Sequence, residues 1–199
     1  MSKSRKLNIK SSTEPLFDYY SPLDLRIVRA ATFCYCSLIG GTAVQFLARR
    51  YGVKERRARS INDLDFITPV NNPCLGQFNE WLVKNNFKEI KAGVSEYMWN
   101  YENSDFGVEV DLLISHERGL ANQMLLEGPF LLWHPVYLFV SKVQRMTTPN
   151  TREETDKADL NTLYDILEKR KELPLLEEVL SKMDLSDEGI KLVNDVIQE

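Results

Sequence analysis

Histidine and cysteine are scarce in this chain, and what fails to surround them excludes several kinds of chemistry. His116 and His134 are the two histidines, and neither has neighbours that suggest a nucleophilic triad or a metal-ligand set. The three cysteines, Cys34, Cys36 and Cys74, form no CxxC pair and no His–Cys cluster, which argues against both structural zinc and a disulfide framework. Cys34 and Cys36 fall in an apolar run, where buried thiols are expected, and a reducing cytoplasm suits them. No stretch approaches the roughly 20 apolar residues of a membrane span. Lys3, Arg5, Lys6 and Lys10 precede no apolar run, so the first residues do not resemble a signal peptide. Positive charge is also short: 25 Lys and Arg against 29 Asp and Glu give a formal net charge of −4. A protein that wraps long nucleic acid normally carries the opposite bias, so any such contact needs a local basic patch. The phosphate loop GxxxxGK[ST] and the dinucleotide fingerprint GxGxxG are both missing.

What is present suits one domain, or a compact domain with a helical extension. The 199 residues are 43% hydrophobic and 27% charged, enough apolar material to bury a core. Residues 1–14 are expected to be a flexible leader, 15–116 an α/β core and 117–199 a helical region. In the core, helical spacing over 18–33 leads into Cys34-Tyr-Cys-Ser-Leu-Ile39, a short β-prone run stopped by Gly40-Gly41. A helical pattern from Thr42 closes at Gly52. Leu64-Asp65-Phe66-Ile67 predicts a strand ending at Pro69, and residues 73–86 a helix. Three β-like runs over 87–91, 96–101 and 108–114, parted by turn residues, predict an antiparallel meander. Residues 120–146, broken near Gly128-Pro129 and Pro135, read as helices, as do 152–171, 174–183 and 186–198.

Three features carry chemistry. In Asp63-Leu-Asp65, strand alternation points both carboxylates to one face, where they repel unless a cation lies between them. Mg²⁺ prefers oxygen ligands and bridges carboxylates to phosphates. Glu109-Val-Asp111 repeats the arrangement amid apolar residues, where a carboxylate is costly unless paired or metal-bound. Gly40-Gly41-Thr42, between strand and helix, allows a phosphate to approach the backbone and the helix start. Each feature also has an ordinary structural explanation: a solvated acidic triplet, an exposed strand face and a tight turn. The basic run Arg49, Arg50, Lys54, Arg56, Arg57 and Arg59 suits either a solvated surface or a grip on a triphosphate or RNA backbone. Tyr97, Trp99 and Tyr101 alternate on one strand face, which suits core or sheet packing first and base stacking second.

The order strand, Gly-Gly, helix, DxD strand, third acid resembles the nucleotidyltransferase superfamily that includes DNA polymerase beta and the aminoglycoside nucleotidyltransferases. Gly40-Gly-Thr-Ala43, Arg59-Ser60 before Asp63, Lys142, and Asp156-Lys-Ala-Asp-Leu160 make it similar to the AbiEii-like bacterial nucleotidyltransferases, many of them toxins of toxin–antitoxin pairs. The resemblance spans roughly residues 35 to 165. It departs at Ser60, three positions before Asp63 where the family more often has two. It implies an α+β fold, a nucleotidyltransferase-like mixed sheet flanked by helices and followed by a C-terminal helical region. It also implies a cytoplasmic enzyme that moves an NMP from an NTP such as ATP to an acceptor hydroxyl, on RNA or a small molecule, and releases pyrophosphate. On this reading Asp63, Asp65 and Asp111 hold two Mg²⁺ ions and Lys142 acts near the triphosphate. Gly40, Gly41, Thr42, Arg59, Ser60 and Asp159 serve nucleotide binding, and an antitoxin is a candidate partner. A catalytically inactive module that binds a nucleotide or a partner is the second reading, and a plain interaction protein with solvated acids the third.

Overall fold

The computed structural model describes residues 21–56, 63–90, 97–117, 119–146 and 153–198. The expected leader over 1–14, together with Arg57, Arg59 and Ser60, lies outside them. Helix α1 (Pro22–Phe33) starts in a capping box: the Ser21 hydroxyl accepts from the Asp24 amide at 3.1 Å, and the Asp24 carboxylate accepts from the Ser21 amide at 2.9 Å. Pro22 stands in the first turn, where its missing N–H costs nothing. The β-prone run after it is shorter than expected. Cys34 and Cys36 donate their amides back to the Ala30 and Ala31 carbonyls, so only Ser37–Leu38 remains as strand β1.

Helix α2 (Gly40–Tyr51) follows β1 directly and ends on Gly52 in the left-handed region. Strand β2 (Asp63–Pro69), helix α3 (Leu75–Lys84) and the meander β3 (Lys88–Ile90), β4 (Met98–Asn103) and β5 (Val108–Ser115) come next. A 3₁₀ turn (Leu120–Gln123) and the hairpin β6 (Met124–Glu127) and β7 (Phe130–Trp133) precede helices α4 (Pro135–Met146), α5 (Glu153–Arg170), α6 (Leu173–Ser181) and α7 (Asp187–Gln198). The strands form one mixed sheet in the order β3-β4-β5-β2-β1-β7-β6.

The hairpin corrects the helical expectation for 120–133. Leucine-rich segments on either side of Gly128-Pro129 suit a helix in isolation. However, Gly128 at φ +60° turns the chain, and β7 pairs parallel to β1 with Leu38 beside Leu132. Burial of Phe130 and Leu132, with the Phe130 ring 4.9 Å from that of Phe46 on α2, outweighs local propensity. The sheet therefore draws strands from beyond residue 117, while α4 to α7 form the helical region that follows it.

Alternation along β2 separates two environments. Leu64 and Phe66 point into a buried layer, where Phe66 meets Phe78 of α3 at 5.7 Å. Asp63 and Asp65 point to the other face.

Candidate active site

Strands β2 and β5 are parallel neighbours, in a register that sets Asp65 beside Asp111 and Asp63 beside Glu109. Both acidic pairs consequently share the face opposite the Phe66 layer. Oxygen atoms of Asp63, Asp65 and Asp111 lie within 4.8 Å of one another, whereas Glu109 stands exposed outside that group. Three carboxylates make a hard, all-oxygen donor set that fits Mg²⁺ or Mn²⁺. Asn100, directly across from Asp111 on β4, donates its amide to the Asp111 carboxylate at 2.5 Å and fixes its orientation.

The double-glycine turn is built around the same acid. The Ile39 amide donates to the Asp65 carbonyl at 2.8 Å. Gly40 has φ +68°, and a Cβ there would sit 2.0 Å from Asp65 Oδ2. Only glycine leaves room for that carboxylate. Gly41 occupies the first turn of α2, among amides that no helical carbonyl satisfies. Thr42 is buried, and its hydroxyl donates to the Asp63 carbonyl at 2.9 Å, which ties α2 to β2. Gly40→Ala is expected to weaken Mn²⁺ binding at least about tenfold and to lower the melting temperature, since both the backbone and the carboxylate must shift. Paramagnetic Mn²⁺ titration and a thermal melt would check this; wild-type behaviour in both would count against the tight approach.

Burial, then the charges of Asp63 and Asp111, push the Asp65 carboxyl up to about 7 from its ordinary 3.8, against a smaller opposing pull from Arg145 and Lys142. Those two cations come from α4. Lys142 is buried, with Nζ 3.0 Å from Asp156 and 2.5 Å from Asp159 on α5. Arg145, half exposed, grips the same Asp156 through two nitrogens, the Nε contact being 2.8 Å. The two cations are thus already matched by two carboxylates. Ile39, Gly40, Asp65, Trp133, Ser141, Lys142 and Arg145 surround a cleft of about 290 Å³ beside the acids.

Of the residues the sequence reading named, Gly40, Asp65 and Lys142 line this cleft, Asp63 and Asp111 meet Asp65, Asp159 pairs with Lys142, and Gly41 follows Gly40 at the start of α2. That reading missed Asn100, Arg145 and Asp156 as working parts. Counting the hairpin register back from the turn at residues 104–107 finds Asn100. Equal three-residue spacing in Lys142/Arg145 and Asp156/Asp159 signals the ion cluster. Much of the basic run is engaged in the fold: Arg49 pairs with Glu55 at 2.7 Å, Arg50 with Glu127 at 3.4 Å and Arg56 with Asp165 at 3.4 Å.

No family model and no curated protein matches the sequence. Among solved structures, the chain is similar to the Megavirus polyadenylate synthase, with a TM-score of 0.52 and 14% identity over 74% of this chain. It spans only 30% of that synthase. It is also similar to JHP933 from Helicobacter pylori, with a TM-score of 0.50 and 16% identity over 88% of each chain. At these identities the likeness defines the fold: a nucleotidyltransferase-like mixed sheet flanked by helices. No described helix is long and apolar enough to cross a membrane.

Proposed function

We propose that the protein is a metal-dependent nucleotidyltransferase, which moves an NMP from an NTP to an acceptor hydroxyl and releases pyrophosphate. The observation that supports this most is the meeting of Asp63, Asp65 and Asp111 within 4.8 Å beside the Gly40 turn. These carboxylates would hold two Mg²⁺ ions, which supply charge neutralisation on the phosphates and a lowered pKa for the acceptor hydroxyl. Asn100 keeps the Asp111 oxygens turned toward the cluster. The Gly40-Gly41 backbone leaves space for phosphate at the start of α2, and Lys142 and Arg145 form the opposite wall of the cleft. A substrate class of nucleoside triphosphates, ATP included, follows from that reading, and an RNA end fits it as acceptor.

The AbiEii-like motifs, Gly40-Gly-Thr-Ala43 with Lys142 and Asp159, support a finer version: a cytoplasmic toxin with an antitoxin partner. The catalytic unit would be centred on 15–116, with Lys142 and Arg145 of the 117–199 region on the wall of the cleft.

Incubation with each of the four α-labelled NTPs, total RNA and cell lysate tests the proposal. Label transfer and pyrophosphate release are expected with Mg²⁺, and none in EDTA. Transfer that survives EDTA, or no release with any NTP, would defeat it. Lys142, already held by two carboxylates, favours the second reading of an inactive binding module. That module would bind NTP in Mg²⁺-free buffer as tightly as with Mg²⁺, which calorimetry separates from the enzyme.

A further inference from the structure

The start of α4 rests on one residue. Pro135 has no N–H, and the next three amides of the first turn all end on His134. The Val136 amide donates to the imidazole Nδ1 at 3.3 Å, and the Tyr137 and Leu138 amides donate to the His134 carbonyl at 2.9 and 3.0 Å. The His134 amide itself donates to the Gln123 carbonyl at 2.8 Å, which ties the helix start to the 3₁₀ turn. A histidine before a proline thus takes the place of the usual Ser or Asp cap.

His134 also stands between two residues of the cleft beside the acids. Trp133 before it and Leu138 one turn after it both line that cleft, and Ser141, Lys142 and Arg145 follow along the same helix. The Tyr137 ring lies 6.5 Å from that of Trp133 and 6.2 Å from the imidazole. The cap therefore sets where one wall of the cleft begins.

Only one protonation state allows this. A nitrogen that accepts from an amide carries no proton, so the bonding pattern assigns a neutral imidazole with its hydrogen on Nε2. Nε2 faces Glu172 Oε2 at 3.5 Å. A second proton would turn Nδ1 into a donor facing another donor. The added charge would also find poor company. The His134 side chain is 14% exposed, and both Glu172 oxygens are taken by the Arg170 fork, Nε at 2.6 Å and Nη2 at 2.8 Å. Glu127 on β6 is held by Arg170 at 2.8 Å, Arg50 at 3.4 Å and the Tyr51 hydroxyl. Burial, helped by the charge of Arg170, holds the imidazole below its ordinary 6.5 against the pull of Glu172 and Glu127. The stability tied to this group is therefore full above about pH 6.5 and is lost as the pH falls.

We propose that His134 is a proton-operated positioning residue of the acid cleft: as a neutral imidazole it caps α4 and fixes the Trp133–Leu138 end of the wall, and on protonation it releases the first turn of that helix. Its bearing on transfer rests on the nucleotidyltransferase reading; the capping itself does not.

Two NMR measurements on the full chain in EDTA test it. The first uses the ring ¹⁵N shifts, assigned with His116→Gln at an exposed position, and needs no change at His134. They should show Nε2 protonated at about pH 7.5 and a titration midpoint below 6.5. The second compares wild type with His134→Asn, since asparagine caps a helix and does not titrate. After correction for the intrinsic effect of pH, amide-exchange protection of Val136, Tyr137 and Leu138 should fall about fivefold or more in wild type between about pH 7.5 and about pH 5, the ordinary worth of a cap. It should stay level in His134→Asn. A proton on Nδ1, a midpoint above 6.5, or an equal loss of protection in the two proteins would overturn the assignment. Neither measurement needs turnover, so this inference and the label-transfer reading fail separately.

Discussion

Asp65→Asn is expected to lower NMP transfer by at least about a thousandfold, while leaving the metal-free protein more stable than wild type near pH 8. The first half follows from position. Asp65 stands between Asp63 and Asp111 and touches the Gly40 turn, so no other carboxylate can replace its oxygens. A thousandfold corresponds to about 4 kcal/mol of transition-state stabilisation. The second half follows from the carboxyl pushed up to about 7 by burial and by its two acidic neighbours. A raised carboxyl means that the folded chain holds a proton the unfolded chain releases near pH 4. Folding stability therefore falls as pH climbs from about 4 to about 7 and then levels off. The penalty reaches a few kcal/mol, at about 1.4 kcal/mol for each unit of displacement. Asparagine carries no charge and escapes it. A bound cation would restore the carboxylate, so Mg²⁺ should raise the melting temperature of wild type more at pH 8 than at pH 5.5 and leave the variant nearly unmoved. Urea unfolding in EDTA at both pH values, beside the label-transfer assay, checks both halves. An Asp65→Asn protein that is less stable than wild type at pH 8 would show that the carboxylate is held by favourable contacts instead of crowded by like charges.

The parts of this site that were legible in the sequence are those set by short-range geometry. Period-two alternation puts Asp63 and Asp65 on one strand face, and a glycine pair between an apolar strand and a helical pattern marks a turn that phosphate can approach. Meeting Asp111 is a different matter. It depends on β2 and β5 lying side by side in parallel, a pairing that no local pattern encodes and that the fold-level resemblance alone implied. The hairpin of residues 124–133 was illegible because Met-Leu-Leu-Glu and Phe-Leu-Leu-Trp suit a helix as well as a strand. The β1 edge that captures them is only two residues long. The tie from Thr42 to β2 was illegible for a related reason: its hydroxyl finds a carbonyl 21 positions away, and sequence spacing does not show which acceptor is nearest.

Removing the carboxylate of Asp156 should cost about 3 kcal/mol of folding stability, although it lies outside the acidic trio. Asp156 is fully buried and serves two cations at once, Lys142 at 3.0 Å and the fork of Arg145. Deleting one partner of a buried ion pair typically costs about 3–5 kcal/mol, because a charge is left in a poor solvent. Here the lower end applies. Lys142 keeps Asp159 at 2.5 Å, and Arg145, whose side chain is 54% exposed, can turn to water. For a chain of this length the loss should lower the melting temperature by roughly 10 °C. Burial alone would raise the Asp156 carboxyl, but the hydrogen bonds from Arg145 and Lys142 and their charges outweigh it and hold it below its ordinary 3.8. Its stabilisation is accordingly present above pH about 4 and fades on acidification, so wild type and Asp156→Ala should converge toward pH 3. Urea unfolding at pH 7 and pH 3 measures both effects. A gap of the same size at the two pH values would mean that Asp156 acts through packing, and that the placement of Lys142 and Arg145 beside the cleft does not depend on its charge.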